Sequence, residues 1–358
     1  MKESSTSWYD NQTGAACDAG FQMATHPKDV LFVDGIPLPV IPVCEHFAGN
    51  EKFIRRAFEL QRRTALNRQP LFDVLCDLED GASAGREAET ARMAGELIAG
   101  SDNAFSRAGV RVHDASHPHC MKDVEIVVRA AGARLAYITL PKCDSRMDAL
   151  KIASWINHVS EDSGQRRIIP LHVMIETHNG LREVFDIVDL PQIEGVNLGI
   201  MDFVSSHQGA IPASAMASPG QFDHPLIRRA KLEISAAGLA AGALPIHGIT
   251  QEYRDPAVAE SDARRARSEF GYLRQYSIHP EQIMPIVRGM RPDAAEIEDA
   301  ATILLAAQAA DWGPVGHQGK LHDRASFRYY WQLLDRGRRS GATLPDDAIN
   351  AFFNEETS

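Results

Sequence analysis

The 358-residue chain carries a formal net charge of −11 and a sequence pI of about 5.7, a balance that argues against nucleic acid or an anionic membrane surface as a partner. No apolar run approaches the roughly 18 residues of a membrane-spanning helix, and the opening MKESSTSWYDNQTGAAC lacks the apolar core of a signal peptide. The cysteines (Cys17, Cys44, Cys76, Cys120, Cys143) are widely spaced with no C-x-x-C, so they read as reduced thiols of a cytoplasmic protein.

In chain order, residues 1–36 are polar and aperiodic, and are expected to form an arm over the barrel or to be partly disordered. The first strand is expected at 40–44, followed by a helix over 51–65. A second strand, 72–78, runs into Glu79-Asp80-Gly81, and a helix over 86–99 follows. The third strand is read at 110–113 with a helix over 123–131, the fourth at 136–140 with a helix over 145–159. Strand five, 171–175, closes directly on Glu176. The apolar spacing of Leu181, Val184, Phe185 and Val188 predicts a helix over 180–190. Strand six, 196–200, is followed after one residue by Asp202. A helix over 227–240, a strand at 244–248, a helix over 262–270 and a short strand at 276–278 complete the series.

Eight strand-then-helix units in about 245 residues match a (β/α)8 TIM barrel. A doubly wound open sheet ranks lower, because no G-x-G-x-x-G or P-loop accompanies the strands. Beyond a linker at 289–292 the character changes. Residues 293–310 are Ala-rich and helical, 311–322 read as a Gly-containing loop, and 325–336 read as an aromatic helix that Gly337 would stop. The chain therefore divides into an arm (1–36), a barrel (37–290) and a helical C-terminal extension (291–358).

Catalytic groups of such barrels sit at the C-terminal ends of the strands. Glu176 and Asp202 fall there on neighbouring strands. Two hard oxygen ligands with no His or Cys beside them suit Mg²⁺, which keeps water and substrate oxygens in its other positions. Asp77, Glu79 and Asp80 end strand two, either as a solvated turn and helix cap or as groups serving a metal or substrate. Arg111 stands between two valines and needs a polar partner, an anionic substrate or a carboxylate. Lys142 reads as a phosphate ligand or a charged rim residue, and His279 ends strand eight where its ring could face a ligand. His113, His117 and His119 make no specific zinc signature, and His172 is expected to pack in the barrel wall.

Taken together, the motifs resemble one family. They are Asp-Leu-Glu-Asp at 77–80 with Arg86 and Ala91-Arg92, Val-Arg-Val at 110–112, Leu-Pro-Lys at 140–142, Ile-Glu-Thr-x-x-Gly at 175–180, Gly-x-x-Asp at 199–202 and Ser-Ile-His-Pro-x-Gln-Ile at 277–283. In order and spacing they are similar to the HpcH/HpaI aldolase and citrate lyase beta subunit family, in the branch with malyl-CoA and citramalyl-CoA lyases. The resemblance implies a trimeric or hexameric (β/α)8 barrel with one Mg²⁺ on Glu176 and Asp202. It implies that Arg111 contacts the substrate's carbonyl or carboxylate, and that Asp323 supplies an acid to a neighbouring subunit's site. Asp77 joins Arg111 and Asp323 as a catalytic candidate, and Glu79, Lys142 and His279 join Arg111 as substrate-binding candidates. This chain departs from the family pattern in the pocket lining, with His113 for an Asn and His247 for an Asp. The expected activity is a Mg²⁺-dependent carbon–carbon lyase on a 3-hydroxyacyl-CoA thioester such as malyl-CoA or citramalyl-CoA. The alternatives are a pyruvate-type class II aldolase acting without CoA and a non-catalytic barrel subunit of a larger complex.

Overall fold

The computed structural model describes residues 25–32, 38–81 and 85–354. Eight parallel strands close a barrel in sequence order: β1 Cys44–Ala48, β2 Phe72–Asp77, β3 Ala108–Arg111, β4 Leu135–Leu140, β5 Leu171–Ile175, β6 Ile193–Leu198, β7 Leu244–His247 and β8 Arg274–Ser277. Glu45 of β1 stands in register with Tyr276 of β8, which completes the circle. This is the expected (β/α)8 TIM barrel.

Strand side chains alternate between the barrel interior and the surrounding helices. The outward set, such as Phe72, Val74 and Cys76 on β2 or Leu171, Val173 and Ile175 on β5, joins the large core beneath the helices. The inward set forms layers. At the N-terminal end, Arg274 meets Asp73 at 2.7 Å and Glu45 at 3.1 Å, all three fully buried. Above them lies an apolar layer with Leu75, Tyr137, Met174, Ile246 and Tyr276. His172 belongs to this wall, stacked on Tyr137 at 4.0 Å and bonded to Glu194 at 3.0 Å. Two residues further along each strand, the interior reaches Asp77, Arg111 and Glu176.

Several boundaries differ from the expectation. The first strand begins at Cys44 rather than ending there, because Glu45 finds a buried partner in Arg274. The helix after β8, Pro280–Met290, takes in the first two residues of the expected linker, 289–292. Its Gly289 packs so closely that an added Cβ would lie 2.4 Å from Glu260 O, and the chain breaks only at Arg291-Pro292. The 311–322 segment contains an antiparallel hairpin, β9 Val315–His317 with β10 Lys320–His322. Gly337 does not stop its helix, which spans Arg324–Arg339; it is buried against Ile297, and the turn comes at Gly341 with φ +78°.

Helices Ala294–Ala309, Arg324–Arg339 and Asp346–Phe352 share their own apolar cluster, which Leu31 joins. Most of the expected arm lies outside the described residues. The part that is described, including helix Pro27–Leu31, docks on these C-terminal helices: the His26 ring bonds Phe352 O at 3.0 Å and meets Trp331 edge-on at 5.1 Å. Among the described residues no helix is long and apolar enough to cross a membrane.

Candidate active site

At the C-terminal mouth of the barrel, Glu176 follows β5 directly and is almost fully buried. Thr177 caps the next helix, His178–Val188, its hydroxyl accepting from Gly180 N at 3.0 Å. The carboxylate can therefore neither slide along the strand nor join the helix. Lys142 adopts φ +46°, which turns its backbone N–H onto Glu176 Oε2 at 2.6 Å. Burial raises the Glu176 pKa to about 7; the Lys142 N–H and the Arg111 charge oppose this, and the nearby charges of Asp202 and Glu79 add to it.

Asp202 was expected just beyond the end of a strand. It stands instead in the first turn of a short helix, Ile200–Ser205, because β6 ends at Leu198. Its carboxylate is 40% exposed and lies 4.0 Å from Lys142 Nζ. Lys142 also pairs with Glu79, and with Asp80 at 3.7 Å. Burial would weaken the lysine cation, but the Glu79 bond and the charges of Glu79, Asp202 and Asp80 hold its pKa above the ordinary value.

Arg111 points inward and is held in a fork. Nε and Nη2 donate to the two Asp77 oxygens at 2.7 and 2.6 Å, and Nη1 lies 2.8 Å from Glu79 Oε2. Burial opposes the cation, but the Asp77 bonds and the charges of Asp77, Glu79 and Glu176 outweigh it and raise its pKa. Asp77 is fully occupied, since it also accepts from Glu79 N at 3.2 Å and Gly81 N at 2.9 Å. It holds Arg111 and the turn in place, which is a positioning task.

Asp77, Glu79, Arg111, Lys142, Glu176 and Asp202 thus form one connected constellation. Two other sequence candidates are engaged elsewhere. His279 caps helix Pro280–Met290, its ring accepting from Glu281 N at 3.3 Å. Asp323 caps helix Arg324–Arg339, accepting from Ala325 N at 3.0 Å. Two neighbours escaped the sequence reading. Phe47 lies 5.0 Å beneath the Arg111 guanidinium, a cation–π contact. Gly199 abuts Glu176 so tightly that any Cβ there would fall 1.8 Å from Oε1. The Gly-x-x-Asp motif contained the second signal without revealing its reason.

Among the described residues no three His, Cys, Asp or Glu side chains converge as a metal cage. The crowding of Glu176 by Asp202 and Glu79 still fits a hard cation held by two carboxylates with water and substrate completing its shell.

A sequence model of HpcH/HpaI aldolase/citrate lyase matches residues 70–266. A citrate lyase structure from Burkholderia xenovorans LB400 is 46% identical, with a TM-score of 0.80 over 92% of this chain and 100% of that one. The chain belongs to the HpcH/HpaI aldolase/citrate lyase family. It is a carbon–carbon lyase. An L-malyl-CoA/beta-methylmalyl-CoA lyase of Cereibacter sphaeroides is 26% identical over 265 residues, covering 70% of this chain and 83% of that protein. The CitE protein of Mycobacterium tuberculosis, solved with magnesium, acetoacetate and coenzyme A, shares the fold: TM-score 0.63 and 18% identity, over 83% of this chain and 98% of that one.

Of the two departures expected to line the pocket, His247 faces the surrounding helices instead, because its strand neighbour Ile246 takes the interior position. His113 is fixed by Asp123, whose Oδ2 lies 2.5 Å from Nδ1, and it stacks on His117 at 4.1 Å. His247 is fully buried between Phe222 and Tyr272 and touches Lys231 Nζ.

Proposed function

We propose that this lyase cleaves or forms a 3-hydroxyacyl-CoA thioester of the malyl-CoA or citramalyl-CoA type, yielding acetyl-CoA and a 2-oxo acid, with Mg²⁺ held by Glu176 and Asp202. The observation that carries the reading is the shared mouth of the barrel. A buried carboxylate, a half-exposed carboxylate and a forked arginine face one another there. Support also comes from the malyl-CoA lyase relative and from the magnesium and coenzyme A in the Mycobacterium tuberculosis structure. When bound, Mg²⁺ would supply Lewis acidity to the carboxylate and carbonyl oxygens of the 2-oxo acid.

The protein's own groups supply the rest. Arg111 has five N–H donors, of which three serve Asp77 and Glu79. The remaining two are free to hold the enolate oxygen that develops as the carbon–carbon bond breaks. Asp77, Glu79 and Phe47 fix the guanidinium beforehand. Lys142 positions Glu176 through its backbone and draws Glu79 and Asp202 toward the mouth through its side chain. Asp323 of an adjacent subunit would move the proton at the enolate carbon, so the working unit is a homo-oligomer, a trimer or hexamer, in the cytoplasm. In this reading residues 37–290 are the catalytic unit and 291–358 the assembling one.

The test is incubation of the purified chain with Mg²⁺ and malyl-CoA, citramalyl-CoA or 4-hydroxy-2-oxo acids, with products read by mass spectrometry. Thioester cleavage that vanishes in Glu176→Gln is expected. Cleavage of the oxo acids alone would replace this reading with an aldolase acting without CoA. No turnover of any substrate with Mg²⁺ binding intact would leave a non-catalytic subunit.

A further inference from the structure

The end of the barrel opposite Glu176 holds a separate cavity of about 440 Å³. Its walls come from the extended segment 38–43, from Leu71 and Leu273 where the chain enters β2 and β8, and from the face of helix Arg324–Arg339 that carries Trp331 and Arg336. The buried Glu45–Arg274–Asp73 layer separates it from the catalytic mouth, so an occupant is out of reach of Glu176.

The lining is mostly apolar, and two of its arginines are matched. Arg107 donates to the buried Asp73 at 2.8 Å, and Arg339 meets Asp335 at 2.7 Å. Arg336 differs. Its guanidinium has no carboxylate or carbonyl partner among the described residues. Burial and the like charges of Arg267 and Arg339 lower its pKa to about 10, against the weaker pull of Asp335. A partly buried cation without a partner bears part of the cost of burying a charge, and an anion entering the cavity would relieve that cost. Lys28 also lines the cavity but is exposed to solvent, so Arg336 is the unmatched guanidinium set against the apolar wall, and a dianion would press a second charge against that wall. A carboxylate offers two oxygens to the parallel N–H groups of an arginine, and the walls suit a short hydrocarbon body.

We propose that this cavity binds an organic monocarboxylate with a short apolar body, its head on Arg336 and its body against Trp331 and residues 38–43. The site is independent of the catalytic reading above.

The experiment titrates the full chain with hexanoate by calorimetry, beside acetate, 1-hexanol and inorganic phosphate. Hexanoate should saturate at one per chain, with the other three at least tenfold weaker. Arg336→Met should weaken hexanoate at least tenfold while leaving Mg²⁺ affinity unchanged. Should Arg336→Met fail to fold, Val40→Trp serves instead, because Val40 lines the cavity with a side chain 66% exposed and added bulk there would block it. In crystals soaked with 6-bromohexanoate, the bromine should lie beside Trp331. Non-saturable binding, equal affinity in the variant, phosphate or hexanol binding as tightly as hexanoate, or bromine at the Glu176 mouth would each overturn the proposal.

Discussion

Gly199→Ala tests the carboxylate geometry with a single methyl group. Gly199 has φ −79° and ψ 88°, a backbone conformation open to any residue, so alanine adds no torsional strain. Space is the difficulty. The new Cβ would lie 1.8 Å from Glu176 Oε1 and 2.5 Å from its Cδ. The backbone is not free to retreat, because Gly199 N donates to Ile175 O at 3.0 Å. The Glu176 carboxylate must therefore swing aside and lose the 2.6 Å bond from Lys142 N. A hydrogen bond to a charged group contributes about 1.5–3 kcal/mol, which corresponds to roughly 10- to 150-fold in an equilibrium constant. That factor belongs to the fold; because the displaced carboxylate no longer faces Asp202, calorimetric Mg²⁺ affinity should also fall, by at least tenfold, and turnover with it. Overpacking costs about 1–3 kcal/mol, so the barrel stays folded with its melting temperature lowered by a few degrees. Shortening the acid in Gly199→Ala/Glu176→Asp should recover part of the affinity. Wild-type Mg²⁺ affinity in the single variant would refute the reasoning and remove Glu176 from the metal.

Arg111→Lys keeps the charge but loses the fork on Asp77 and the third contact to Glu79, so turnover should fall at least tenfold with little change in Mg²⁺ affinity; full activity would assign Arg111 to charge balance alone. Asp323→Asn retains an oxygen for the helix cap, so thermal stability should hold while turnover is lost. Mixing it with Glu176→Gln should restore some activity in hybrid oligomers, and verified hybrids that remain inactive would exclude a shared site. Burial lowers the Lys231 pKa to about 7 from an ordinary 10.5. Between those values the unfolded chain binds the extra proton, so the lysine's contribution to stability improves as pH rises from 7 towards 10.5. Lys231→Met should flatten that part of the pH–stability curve, and an unchanged slope in chemical denaturation would contradict the assignment.

The barrel was legible because its strands are short apolar runs, and because Glu176 closes one of them. Its place at the end of strand five located the carboxylate at the mouth, and alternation with His172 and Met174 turns it inward. Strand one was misplaced for the converse reason. Glu45 looks foreign to a buried strand until Arg274, more than two hundred residues later, is seen beside it. Asp202 shifted onto a helix because Gly199 and Ile200 continue an apolar run that the backbone abandons at Leu198. Gly337 shows the ambiguity of glycine in one sequence, since close packing on Ile297 and helix termination call for the same residue. The fork of Asp77 and Glu79 around Arg111 was open only as a possibility, because separation along the chain says nothing about which acid an arginine meets.

The ionic and apolar layers inside the barrel have a kinetic consequence. With Arg274, Asp73 and Glu45 filling one end and Tyr137, Tyr276 and Leu75 stacked above them, the catalytic chamber is a blind alley with a single doorway. A lyase makes two products from one substrate, and both must leave through that doorway. The fragment lodged deeper waits for the one nearer the exit, so release is sequential. In the reverse direction, the deeper fragment must enter first. Product-inhibition patterns should therefore differ between the two products, one competing with the substrate for the empty enzyme and the other not.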